Sequence, residues 1–427
     1  MKPFCFNITI DDSELFQEQL LNWAQQFKVC ALFNSNQYPN YPYAKNDFIL
    51  AVDATDTITD NNQNPWSNIQ NKLDQNPNWW YGFLSYDLKN SIEELSSKNE
   101  DLIKIPDYFF FSPRWIFSLE QNNLKVYSDF PIDEKLILDI TCTKSQESKY
   151  DAIRLQPRIT QTQYIKTIDK IIEHIKKGDI YEINFCQEYF AKGKEINPLL
   201  AYLELNRISK APFSCFLKIE DKYLISSSPE RFLKKEGQKV ISQPIKGTAK
   251  RGKDPLEDQK IKLDLQQSLK DTTENIMIVD LVRNDLSKNS IPGTVKVEEL
   301  NQVYTFKQVH QLISTISAQI EVKTPVTQVI KDAFPMGSMT GAPKVMAMKL
   351  IEQYEATKRG LFSGAVGYFD PDGNFDFNVI IRSILYNSTL KNTSVQVGGA
   401  ITYDSDSQKE YAECLIKADA MRKVLER

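Results

Sequence analysis

Tyr223-Leu224-Ile225-Ser226-Ser227 reads as a strand-like run and leads into Ser228-Pro229-Glu230-Arg231-Phe232. A second strand-like run, Ser394-Val395-Gln396-Val397, leads into Gly398-Gly399. Helical segments are expected near 256–288, 343–357 and 407–425. The best-marked helix lies upstream. Thr160 and Gln163 suit a capping box, Tyr164, Ile168, Ile171, Ile172 and Ile175 form an apolar stripe at helical spacing, and Lys176, Lys177 and Gly178 end it. Strands and helices show neither regular alternation nor an internal repeat, so a mixed α/β (α+β) sheet architecture fits better than a doubly wound one.

The composition narrows the class of protein. Of 427 residues, 41% are hydrophobic and 25% charged, which places the chain among soluble globular proteins rather than disordered ones. The first residues run straight into Asp11 and Asp12, leaving no apolar core for a signal peptide. No apolar run approaches the roughly 20 residues of a spanning helix. A cytoplasmic protein without a membrane partner is expected. Cysteines 5, 30, 142, 186, 215 and 414 are scattered, with no short-spaced pairs of zinc or redox type, and read as free buried thiols. Net charge is −4 and no Lys/Arg run tracks a phosphate backbone, so a small-molecule site is favoured over nucleic acid.

The polar segment from Lys144 to Tyr150 marks a boundary between an N-terminal region, 1–145, and a second domain, 155–427. The first region reads as strands and short helices broken by Asn/Asp/Pro-rich loops at 60–65 and 75–78. Its clusters Trp79-Trp80-Tyr81 and Phe109-Phe110-Phe111 suit packing within sheets.

Chemistry-bearing residues concentrate in the second region. Asp271 and Glu274 lie three apart in one helical segment, as do Glu410 and Glu413 in another, so each pair shares a helical face. Two such faces together hold a hard cation such as Mg²⁺ through oxygen. The second pair also has a plain reading: Ser407 with Glu410 makes a capping box, and Glu413 with Lys417 an i,i+4 ion pair. Lys246, in Gln243-Pro244-Ile245-Lys246-Gly247-Thr248, is either an exposed amine or a buried one. If buried, desolvation lowers its pKa and frees a neutral nucleophile, while a buried Glu230 shifts upward and becomes a general acid. The loop Phe334-Pro335-Met336-Gly337-Ser338-Met339-Thr340-Gly341-Ala342-Pro343-Lys344 ends with proline at a first helical position, a start that can bind an anion, but it lacks P-loop spacing. Gly398-Gly399, inside an alternating strand pattern, implies either a bulge or a close backbone approach by a ligand.

Together these segments resemble the chorismate-utilising enzymes, the family of anthranilate, aminodeoxychorismate, isochorismate and salicylate synthases. The resemblance is carried by Gly178-Asp179-Ile180-Tyr181-Glu182-Ile183-Asn184, Ser228-Pro229-Glu230-Arg231-Phe232, Glu274-Asn275 through Asp285, Gly341-Ala342-Pro343-Lys344 and Glu413 to Ala418. Gly82-Phe83-Leu84-Ser85-Tyr86-Asp87-Leu88 extends it into the N-terminal region. It implies a large β-sheet sandwich flanked by helices. It also implies an Mg²⁺ site at Glu274 and Glu413 with Asp271 and Glu410 nearby, and substrate contacts at Arg382, Lys417, Gly398, Gly399, Thr248 and Gly341. His310 matches a family histidine near the substrate. Asp271 stands where relatives with two Glu pairs have Glu, and Phe362 where many have Tyr. Lys246 resembles the covalent lysine of the aminodeoxychorismate branch, where anthranilate synthases usually have Ala, and Asp376-Phe377-Asn378 points the same way. The implied reaction joins chorismate and ammonia into 4-amino-4-deoxychorismate, with Lys246 adding at C2 and Glu230 protonating the departing C4 hydroxyl. An anthranilate- or isochorismate-forming enzyme, and a non-catalytic protein sensing tryptophan or chorismate, are the rival readings.

A class I glutaminase needs a nucleophilic cysteine at a glycine-flanked elbow with an activating histidine. None of the six cysteines lies between nearby glycines, the two histidines are His174 and His310, and the chain ends at Arg427 just after the Glu413 segment. A separate glutamine amidotransferase subunit is therefore expected to supply ammonia. The isolated chain should make product from chorismate and ammonium salts but not from glutamine, and steady glutamine-dependent turnover without contaminating glutaminase would contradict this.

Overall fold

The computed structural model describes every residue except 1–3, 39–42, 44–47, 61–63, 134, 145–150, 308 and 427. The boundary read at 144–150 lies outside the described residues from 145 onward, as do Asn61-Asn62-Gln63 and Gln308.

One continuous antiparallel ladder folds into two arms. The first arm starts at Glu182–Ala191 and passes through Asn392–Ile401, Ser383–Asn387 and Lys222–Ser228. It continues through Phe213–Ile219, Val29–Asn34 and Phe48–Ile58 to the long strand Tyr108–Glu120. The beginning of that strand also pairs with Trp80–Leu84, which opens the second arm through Ala365–Phe369, Phe375–Val379, Arg231–Glu236 and Lys239–Gln243 to Val309–Gln319. Ile245–Lys250 continues Lys239–Gln243 along the same flank of Val309–Gln319, and Lys296–Thr305 pairs on the other flank. Strands from before residue 145 are thus hydrogen-bonded to strands from after 155 in both arms.

Side chains alternate across a strand, and the alternation sorts the core. Val29, Ala31, Ile49, Ala51, Cys215 and Leu217 point into one cluster, where Phe33 meets Tyr81 and Tyr368 of the other arm at 6.0 Å between ring centroids. Cys30, Leu32, Leu50, Val52 and Phe216 point into a second cluster, covered by helices Ser13–Ala24, Gln161–Lys177, Pro198–Ser209, Lys344–Tyr354 and Ser407–Leu425. Sheet faces sheet on one side and helix on the other, the mixed class and flanked sandwich expected. Trp80, Tyr81, Phe110 and Phe111 are buried in these sheets. Among the described residues no helix is long and apolar enough to cross a membrane.

Local signals account for several helix ends. Thr160 caps Gln161–Lys177 in a capping box with Gln163, and Gly178 closes it at φ +82°. The segment near 256–288 is two helices, Pro255–Gln267 and Leu269–Ser287, because Ser268 turns its hydroxyl to the second as a cap. Helix Ser407–Leu425 is capped by Asp406, not by the Ser407/Glu410 box: the Asp406 carboxylate accepts from Gln408 and Lys409 amides, freeing Glu410 to accept from Ser405 at 2.9 Å. Pro343 precedes Lys344–Tyr354 as its cap rather than forming its first residue. The cysteines are all free, but Cys5 and Cys142 are exposed, since each lies on a surface element rather than in a core strand.

Gly398 sits against a neighbouring strand, and Gly399 beside acidic side chains. A Cβ on Gly398 would stand 2.3 Å from the Phe185 carbonyl and 2.4 Å from Cys186 Sγ, whereas one on Gly399 would enter the space beside Glu410 and Glu413. Gly398→Ala must push the Glu182–Ala191 strand aside, and overpacking of this kind costs about 1–3 kcal/mol. Urea denaturation should show that loss, and an unchanged midpoint would contradict the contact.

Candidate active site

Lys246 lies at the second position of strand Ile245–Lys250, where the register shifts before Thr248, and is buried. Its Nζ donates to Glu182 Oε1 at 2.6 Å. Glu182 opens its own strand against the short Gly341–Ala342 strand and is 1% exposed. The expectation that a buried Lys246 turns neutral is corrected here. Burial alone pulls its pKa down, but the charges of Glu182, Glu274 and Glu230 outweigh burial and hold it above the ordinary lysine value. The resting side chain is an ammonium.

Glu230, in the turn between strands Lys222–Ser228 and Arg231–Glu236, is buried, and desolvation pushes its carboxyl up to about 7 against the opposing pull of Ser338 and Lys246. Ser338 comes from the turn Gly337–Met339, which a buried ion pair fixes in place. Arg359 donates to Glu355, to the Met339 carbonyl at 2.7 Å and to the Asn184 carbonyl at 2.8 Å, while Glu355 accepts from the Cys186 amide. One pair therefore ties the Glu230 side of the site to the Glu182 side. Gly341 permits that junction: its φ is +150°, and a Cβ would fall 2.1 Å from the Glu182 carbonyl.

The two acid faces also meet across the site. Glu274 lies on helix Leu269–Ser287, and burial raises its carboxyl to about 7, with Lys246 and Lys270 opposing the shift. On helix Ser407–Leu425, burial and the neighbouring Glu413 charge raise Glu410. Burial alone would raise Glu413 too, but Lys417 at 2.6 Å, with Lys270 and Arg382, holds it low. The Lys270 ammonium stands 3.8 Å from Glu274 and 3.7 Å from Glu410, between the two faces. Glu274 Oε1 is buried without a hydrogen-bond partner. Asp271 exchanges hydrogen bonds with the Ser268 cap and packs against Gly247. Among the described residues no three acidic, histidine or cysteine side chains are already gathered as a metal cage.

Lys417 Nζ donates to the Gly398 carbonyl at 2.8 Å. Half-buried Arg382 sits at φ +52°, a costly conformation for a residue that carries a Cβ, and its guanidinium makes no hydrogen bond or ion pair among the described residues. His310 and Thr248 stand further along the Lys246 ladder: His310 pairs with Ala249, and its ring nitrogens face Thr305 at 3.0 Å and Asp258 at 2.9 Å. Thr248 accepts from Gln311. The structure brings Lys246, Glu230 and Glu274 together but gives His310 no contact with them. Sequence reasoning missed the site roles of Glu182 and Ser338. Its place in the stretch Tyr181-Glu182-Ile183-Asn184 was the signal available for Glu182.

Residues 28–423 match the family model described as chorismate binding enzyme. The chain is 32% identical to aminodeoxychorismate synthase component 1 of Escherichia coli (strain K12), over 93% of each chain. It is 35% identical to anthranilate synthase component 1 of Saccharolobus solfataricus, over 81% of this chain and 80% of that one. Its fold superposes on the crystal structure of anthranilate synthase component I from Streptococcus pneumoniae with a TM-score of 0.77, covering 90% of this chain and 94% of that one at 24% identity.

Because the folded Glu230 holds its proton up to about 7, above the ordinary carboxylate value of 4.5, the folded state binds more protons than the unfolded state between those values. Its stabilising contribution is complete below the lower value and is lost as pH rises through the upper one. Denaturation of wild type and Glu230→Gln across pH 4 to 8 should show the variant gaining relative stability as pH rises. A difference independent of pH would contradict the shift.

Proposed function

The chain belongs to the chorismate binding enzymes, and from that premise we propose that it joins chorismate and ammonia into 4-amino-4-deoxychorismate, the first step from chorismate toward p-aminobenzoate and folate. The observation that carries this reading is the buried Lys246 ammonium, 2.6 Å from Glu182 and within the field of Glu230. A nucleophile and an acid are what an amination through a lysine adduct requires. The anthranilate-forming alternative shares the fold and the acid but leaves Lys246 without a task.

Mg²⁺ suits the donors at the two acid faces. They are carboxylate oxygens, one of them unpartnered, a lysine ammonium already lies between them, and Gly399 leaves room beside Glu410 and Glu413. Glu274, Glu410 and Glu413 would hold the ion, with Asp271 near. Bound there, it supplies positive charge for a carboxylate of chorismate. Arg382, with its unpaired guanidinium, and Lys417 grip carboxylate groups of the substrate, the former in bidentate fashion. Gly399 and Gly341 keep the walls close without side chains. Glu230, protonated below about 7, delivers its proton to the C4 oxygen as Lys246 bonds to C2. Ammonia then attacks C4, and the lysine departs. A glutamine amidotransferase partner in the cytoplasm supplies that ammonia. His310, held by Thr305 and Asp258, braces the Ile245–Lys250 strand rather than meeting the substrate.

Chorismate, Mg²⁺ and ammonium with the purified chain should give a product with the mass of aminodeoxychorismate, and Lys246→Ala should abolish it. Anthranilate or isochorismate as the main wild-type product, or full activity of the variant, would refute the reading.

A further inference from the structure

We propose that Glu182 is a further catalytic residue, the base that removes a proton from Lys246 before it attacks and returns it after it leaves. The proposal rests on the reading of Lys246 as nucleophile. An ammonium has no lone pair, so a proton must leave Nζ first. Among the described residues, Glu182 is the one group hydrogen-bonded to that nitrogen. Glu230 and Glu274 act on it through their charge. Glu230 is committed as the acid, and Glu274 faces Lys270 and the other acid helix.

Glu182 is also built to serve. Its Oε2 is buried and accepts no hydrogen bond, so protonation breaks no contact other than the one to Lys246. Its position is fixed on both sides, by pairing with Ala342 and by the Arg359–Glu355 ion pair, which holds the backbone at Asn184 and Cys186. A base held this rigidly within 2.6 Å needs no movement to act.

The steps balance. Lys246 passes one proton to Glu182, and the neutral amine bonds to C2 as the C4–O bond breaks. Glu230 gives its proton, and water departs, leaving a secondary ammonium on C2. Ammonia bonds to C4 while the C2–N bond breaks, and Lys246 leaves as a neutral amine. Glu182 returns the stored proton to it. Glu230 is recharged from the new C4 ammonium, leaving the product amine. The sum is chorismate plus ammonia giving aminodeoxychorismate plus water.

Glu182→Gln keeps the shape but cannot hold the proton. In rapid-quench intact-mass experiments with chorismate and Mg²⁺ but no ammonia, wild type should form an adduct that peptide mapping places on Lys246. The adduct should form about 10²- to 10⁴-fold more slowly in Glu182→Gln, with chorismate affinity from calorimetry changed by only a few-fold. Glu182→Asp, which restores a base at shorter range, should recover at least tenfold of the loss. An unchanged or faster rate in Glu182→Gln overturns the proposal. So does a loss that Glu182→Asp does not relieve, or one accompanied by collapse of chorismate affinity, since either marks a structural role. Absence of the adduct in wild type overturns the lysine mechanism, and this proposal with it.

Discussion

A single buried cation, the Lys246 ammonium, sets the terms for its surroundings. Three carboxylates, those of Glu182, Glu230 and Glu274, act on it at once, and their repulsion of one another is tolerable only because the ammonium lies among them. Buried charges that lack partners are costly, and removing one member of such a group is worse than replacing the whole. The result is a division of labour by environment. The carboxylate in direct contact balances the ammonium, while the two at a greater distance are pushed by burial toward the neutral form near pH 7. One electrostatic arrangement thus holds a charged amine, a charged carboxylate and two carboxyls near neutrality side by side.

The fold holds this arrangement from opposite sides. Glu182 belongs to the first sheet arm and Lys246 to a strand of the second, so their 2.6 Å contact closes the space between the two arms. The Arg359–Glu355 pair sets the strand carrying Glu182 against the turn carrying Ser338, and Ser338 reaches Glu230. Gly341 and Gly398 remove side chains where backbones must nearly touch. A displacement at any of these points reaches Glu182, Lys246 or Glu230 through one or two contacts.

Much of this was legible in the residues. The capped helix 161–177 followed from Thr160, Gln163 and Gly178, because capping is local chemistry. That each acidic pair shares a helical face followed from spacing, whereas the Lys270 ammonium between the two faces did not. What remained hidden depended on neighbours distant in the chain. Lys246 showed the same residue type whether neutral or charged, and the arrival of Glu182, 64 residues away, together with Glu274 and Glu230, decided it. Ser407 looked like a cap, yet Asp406 took the position because its carboxylate reaches two amides at once. His310 matches a family histidine near the substrate, and its partners Asp258 and Thr305 were not legible from that match. No periodicity announces such partners.

The central claim is that Lys246 is charged at rest because carboxylates surround it. Lysine-selective ¹⁵Nζ labelling with heteronuclear NMR of the free protein at pH 8 reads that state directly. The account predicts a solvent-protected ammonium signal that disappears in Lys246→Met and persists to a pH above the ordinary lysine range. A neutral amine signal for Lys246 at pH 8 would contradict it.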